Sequence, residues 1–101
     1  MLYQQGDVLI ETVENFPMGL KKKHGNVLAE GEATGHAHKI DLAQSNVFCD
    51  AEGNLYVEVI GDNAVIQHEE HKQITVPKGK YRVRKVREYD HFYRAPRPIG
   101  D

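Results

Sequence analysis

The sequence predicts an all-β domain, a small antiparallel barrel or sandwich with little helix. Three observations carry that prediction. Apolar and polar residues alternate at period two through most of the chain. Brackets rich in Gly, Asn and Pro punctuate those runs. No stretch sustains an apolar stripe at helical period beyond about two turns.

Val8 and Ile10 alternate with Asp7, Leu9 and Glu11 after a turn-like Gln4-Gln5-Gly6, which reads as a first strand. The best helix candidates, Glu11–Phe16 and Lys39–Asn46, are short and lack a stripe. Phe16-Pro17-Met18-Gly19 and the following Lys21-Lys22-Lys23-His24-Gly25-Asn26 read as a loop or a charged hairpin tip. Leu55, Val57 and Val59 lie between Gly53-Asn54 and Gly61-Asp62-Asn63, and Ala64–Gln67 reads as a returning strand. That predicts a hairpin over 55–67. Ile74–Val76, Pro77-Lys78-Gly79 and Tyr81–Val86 predict a second one, since Pro presets the turn and Gly relieves the positive φ after it. In Tyr81–Tyr89 the parity sends Tyr81 and Val83 inward and Arg82 and Arg84 outward. Val86 has the opposite parity, so a bulge is expected near Arg84-Lys85.

At 101 residues the chain is one domain, placed at 1–93, with a Pro-containing tail over 94–101. Tyr89, His91, Phe92 and Tyr93 form an aromatic cluster before that tail, fit to latch it down or to dock a second protomer as a homodimer. Thirteen basic against fifteen acidic residues give a net charge of −2, which argues against general nucleic-acid binding. No run approaches the ~18–20 apolar residues of a membrane-spanning helix. The acidic start MLYQQGDVLIETVE is not a secretory signal, so a cytoplasmic protein is expected. Cys49 stands alone; it reads as a small buried hydrophobe, with a thiolate ligand or nucleophile as the alternative.

Four of the six histidines fall in two knots, GHAHKI at 35–40 and HEEH at 68–71. On a strand His36, His38, Ile40 and Leu42 share a face, and so do Ala64, Ile66 and His68. Each run passes from core aliphatics into histidine, the layout of a pocket with an apolar floor and an imidazole rim. Neutral imidazole suits a divalent transition metal such as Zn, Fe or Ni, and an open site needs three protein ligands. The expected ligands are His36, His38 and His68, joined by His71 if a turn at Glu69-Glu70 lets that ring converge. Glu69 or Glu70 would then carry protons for metal-dependent chemistry on a small molecule. The competing readings are a hydrogen-bonded structural cluster and a surface or interface role. The second class of function is accordingly a non-catalytic module, contacting protein or RNA through Arg82–Arg87 and the tail. Before the first knot, Gly31 and Gly35 permit close backbone approach or a bend, and Thr34 offers a hydroxyl. Glu30 and Glu32 read as a solvated strand face.

The HxH at His36 and His38, behind glycines and ahead of Pro77-Lys78-Gly79, resembles the cupin pattern of small metal-binding β-barrels. The resemblance spans about Gly31 to Val83 and implies ligand roles for His36 and His38. Leu42 and Ala43 stand where cupins carry a glutamate, and Lys80-Tyr81-Arg82 where they carry a further histidine. The chain is also similar to a group of short bacterial proteins that share GEATGHAH, HEEH and a P-x-G-x-Y turn.

Overall fold

A computed structural model describes residues 1–30 and 35–86. Eight strands follow in order: β1 (Leu2–Gln5), β2 (Val8–Thr12), β3 (Lys21–Lys22), β4 (Val27–Glu30), β5 (Ala37–Ile40), β6 (Ser45–Cys49), β7 (Leu55–Gln67) and β8 (Ile74–Lys85). All pairings are antiparallel, in one curled sheet of order β1-β2-β8-β7-β5-β4 that makes a half-barrel. β6 also lies on β7 and carries β3 on its other side. The all-β prediction is met, with no helix among the described residues. None of those residues, therefore, forms a helix long and apolar enough to cross a membrane. Tyr89–Tyr93 and the tail 94–101, with the docking and homodimer expected of them, lie outside the described residues, as do Gly31, Glu32 and Thr34.

The largest departure concerns the two hairpins. β7 and β8 are each continuous through their supposed turns, and they pair with one another from Leu55↔Val83 to Ile66↔Ile74. The chain reverses instead over His68–Gln73, between them. Gly61-Asp62-Asn63 and Pro77-Lys78-Gly79 face each other across the ladder, where the register slips between Val59 and Asn63. Both turn signals thus serve as one bend in a long ribbon. The buried face changes parity there, from Val57 and Val59 to Ala64 and Ile66 on β7, and from Tyr81 and Val83 to Val76 on β8. A bulge that re-aims side chains has that effect.

The bend also explains how one strand serves two neighbours. β6 pairs with the first half of β7 and β5 with the last residues, so β5 and β6 lie end to end along it. Their connection tucks into the bulge, where the Ile60 and Gly61 N–H groups both donate to Gln44 O at 2.8 and 3.2 Å. A Cβ at Gly61 would collide with the Gln44 side chain. Across the ladder the Tyr81 hydroxyl donates to Pro77 O at 2.6 Å, closing the bend from the β8 side.

Other expectations are corrected more simply. Lys39–Asn46 holds the end of β5 and the start of β6, and Glu11–Phe16 runs from β2 into a loop, because neither has a stripe to bury. Phe16 on that loop packs against Phe48 and Tyr56, with ring centroids 5.7 and 5.8 Å away, and the Lys80 ammonium lies over it. Lys21 and Lys22 pair with Cys49 and Phe48 rather than forming a tip. Leu42, expected in the core, is exposed, since β5 ends at Ile40. β8 runs regularly through Arg84-Lys85 against β2, with no bulge. Cys49 is only half-buried.

The core comprises Val8, Ile10, Leu28, Ile40, Val47, Val57, Val59, Ala64, Ile66, Val76, Tyr81 and Val83. Leu9, assigned to the polar side of the first strand, is buried as well. β-Branched residues dominate this set, as a pleated and half-buried surface favours.

Candidate metal centre at the histidine turn

The four histidines of the two knots gather at one end of the half-barrel. β5 delivers His38, the residue before it supplies His36, and the turn closing the β7–β8 ribbon supplies His68 and His71. Ring centroids of His38 and His68 are 4.3 Å apart, those of His68 and His71 4.7 Å, and those of His36 and His68 5.7 Å. His71, for which convergence demanded a turn, gets that turn.

Their chemical positions differ. His38 is 1% exposed, and its Nδ1 lies 2.8 Å from Oε1 of Gln5, itself buried. The Gln5 amide nitrogen donates to Ile66 O and Lys72 O, both at 2.9 Å. With both donors engaged, Gln5 presents only its oxygen to His38, so Nδ1 of His38 carries the proton and donates. Nε2 is then a buried lone pair, 3.8 Å from the Asp7 carboxylate. Burial first, and then the neighbouring His68, lower the His38 pKa to about 4 against the pull of Asp7. The ring is neutral at pH 7.

His36, His68 and Glu69 form a separate group whose ligand atoms all lie within 4.8 Å of one another. Nδ1 of His36 approaches Oε2 of Glu70 at 3.3 Å. That contact orients the ring and leaves Nε2 available, the usual service of a carboxylate behind a ligating histidine. The Ala37 N–H donates to Glu69 Oε1 at 2.9 Å and is the main reason that carboxyl sits below its ordinary range. The Glu70 N–H donates to Nδ1 of His68 at 3.0 Å, which puts the proton of neutral His68 on Nε2. Of the residues singled out from sequence, the structure joins His36, His68 and Glu69 and sets Glu70 behind His36. His38 and His71 fall outside the trio, and of the four histidines only His38 is fully buried.

Sequence reasoning missed Gln5, the last residue of β1, and the Gly6-Asp7 turn that follows it, because Gln4-Gln5-Gly6 reads as a turn. Gln5 pairs with Val8, so the face that buries Val8 also buries Gln5. Gly6 has φ 59°, and a Cβ there would lie 2.6 Å from Nε2 of His71. Gly6→Ala is expected to cost about 1–2 kcal/mol through the left-handed backbone and the displaced ring. Thermal unfolding should register this as a fall in Tm of roughly 5–10 °C, and an unchanged Tm would mean that the imidazole moves aside freely.

Beside the trio lies an open hollow of about 420 Å3, bounded by His68, Glu69 and His71 together with Lys39, Gln67 and Gln73. Among the described residues no basic stripe accompanies it. Arg84 lies 3.7 Å from Glu11, and Lys80 pairs across the ladder with Glu58, so the bases of β8 are interleaved with acids. β8 is interior to the sheet, between β2 and β7.

No curated protein and no solved structure matches the chain. A family profile does, over residues 4–86, which takes in the end of β1, all of β2 to β8 and both histidine knots: the chain belongs to the family described as a domain of unknown function, DUF8820.

Proposed function

We propose that this domain binds a divalent transition metal (Zn, Fe or Ni) through His36, His68 and Glu69. The observation that carries the reading is the meeting of those three groups, drawn from two distant segments, within 4.8 Å. Two imidazoles and one carboxylate are a ligand set of open zinc sites and of non-haem iron sites, and they leave positions for water or substrate. Ligands about 2.1 Å from a tetrahedral metal stand about 3.4 Å apart, so side-chain rotations that close the widest pair by up to about 1.4 Å complete the site. Coordination by Nδ1 of His68 requires that ring to give up the Glu70 N–H. A metal held here would supply Lewis acidity toward a substrate oxygen or bound water. Glu70, 64% exposed, is the carboxylate left to move a proton. The arrangement is cupin-like in using a curled antiparallel sheet, with the carboxylate coming from the second knot rather than from behind the HxH. We read the protein as cytoplasmic and acting on a small molecule, with a homodimer as a further expectation.

Metal analysis of protein purified without an affinity tag tests this. Stoichiometric Zn, Fe or Ni is expected, lost in His36→Ala, His68→Ala and Glu69→Gln. Glu70→Gln should weaken metal affinity by roughly 10-fold, the lower end of what removal of a supporting hydrogen bond costs. Metal-free protein whose Tm does not respond to added Zn, Ni or Fe would sink the reading. In that outcome the second reading stands, a non-catalytic interaction module with structural histidines. The buried Gln5–His38 pair, a satisfied hydrogen-bond network, favours it.

A further inference from the structure

We infer that the hollow beside the trio receives a small dicarboxylate, one end at the metal and the other at the ammonium of Lys39. The inference rests on the metal reading and names the ligand class of that same site. Lys39 follows His38 on β5, so alternation turns it outward, away from the core and onto the hollow wall. Its charge is felt at Glu69 and helps to hold that carboxyl ionised. Opposite it in the ladder stands Gln67, whose amide nitrogen lies 3.5 Å from the Gln73 side-chain oxygen. The wall facing the metal ligands therefore consists of one cation and two amides.

Two separate cationic points decide the class. A divalent metal and the Lys39 ammonium stand on the same small space, while Glu69 among the ligands and Glu70 behind His36 leave a net positive charge of one. An ammonium set beside a dication is repelled unless an anion lies between them. A ligand with a carboxylate at each end meets both points at once. Phosphate is the other common dianion, but its sites use arginine forks, helix N-termini or runs of convergent backbone N–H groups. None of the lining residues is an arginine, and the Ala37 N–H is already given to Glu69. The amides of Gln67 and Gln73 offer both donors and acceptors, which suits a hydroxyl or carbonyl on the short chain joining two carboxylates. The polar lining also argues against an apolar ligand.

Cobalt(II) loaded into the full chain tests this, since its visible absorption bands report both metal binding and any ligand entering the coordination sphere. Malate is expected to shift those bands. Its uncharged diamide should need at least about tenfold higher concentration, the worth of one charge-assisted contact. Lys39→Met should weaken malate by a similar factor without weakening cobalt, and Lys39→Arg should restore most of it. Cobalt bands that respond to malate equally in wild type and Lys39→Met would overturn this inference alone. So would inorganic phosphate displacing malate at equal concentration. Absence of cobalt bands altogether would overturn the metal reading and this inference with it.

Discussion

Replacing Gln5 by Ala is expected to lower the unfolding free energy by about 4 kcal/mol, although the residue is polar and sits one position from a turn. Its side chain makes three hydrogen bonds: to Ile66 O, to Lys72 O and from Nδ1 of His38. Each buried partner left unsatisfied costs about 1–3 kcal/mol, and Lys72 O, being only partly buried, belongs at the low end. Those bonds tie the β1–β2 turn to the turn that carries His68 and His71, so the loss is of tertiary structure rather than of one strand end. In a domain of this length the fall in Tm is roughly 20 °C. Gln5→Glu keeps the acceptor for His38 but loses both donors and aims a carboxylate at two carbonyls. At neutral pH it should be at least as damaging. Urea unfolding at pH 7.5 measures both, and a loss below 1 kcal/mol for Gln5→Ala would mean that water replaces the side chain at little cost.

Acidification should remove about 3 kcal/mol of stability between pH 6.5 and 4, through His38 alone. In the unfolded chain its imidazole titrates near 6.5; in the folded protein burial lowers it to about 4. Above pH 6.5 both states hold a neutral ring and the group contributes no slope. Between the two values the unfolded chain binds a proton that the folded one refuses, so stability falls as pH falls. Below pH 4 both are charged and this slope ends. A difference of about 2.5 units at 1.36 kcal/mol each gives the total. Glu69, held low by the Ala37 N–H, loses its own contribution only below the ordinary carboxylate range, so measurements above pH 4.5 keep the two apart. His38→Asn supplies the control: its amide nitrogen still donates to Gln5, and it cannot titrate. The urea midpoint of wild type should fall over this window while that of His38→Asn holds. Parallel curves would show that the imidazole takes its proton in place.

Much of this was legible in the sequence, and the failures have a common physical source. Alternation found β2, β7 and β8, because burial on one face writes a period of two, while β1 went unread because Gln4-Gln5-Gly6 has a turn-like composition. The inward parity of Ala64 and Ile66 and the outward parity of Arg82 and Arg84 also hold, while His68 lies past the end of β7 in the turn. What failed was the partner of each strand. Gly61-Asp62-Asn63 and Pro77-Lys78-Gly79 have the composition of turns, and composition does not distinguish a reversal from a bend that two strands share. The true reversal, at HEEH, has neither Gly nor Pro; it is held by the His68 ring accepting from Glu70 N–H and by Glu69 accepting from Ala37. The first is local to the turn and carries no compositional signature, and the second exists only once β5 lies alongside. The same reason hid the division among the histidines. His36 and His38 look equivalent as an HxH pair, and only the approach of Gln5 from β1 engages Nδ1 of His38, while His36 lies with His68 and Glu69.

The doubled turn signal carries a kinetic consequence. An unfolded chain meets two local opportunities to reverse, at 61–63 and at 77–79, before it can zip the full ribbon from 68–73. Short loops close in tens of nanoseconds and hairpins in microseconds, so both premature reversals are sampled early. Each places Gly, Asn or Pro at its apex and is locally well formed, yet each separates strands that belong together. Such early, wrong pairings are a conflict between local preference and global arrangement. Refolding is therefore expected to include a step that undoes them, and a substitution that discourages tight reversal at 61–63 is expected to speed refolding while costing stability at the native bend.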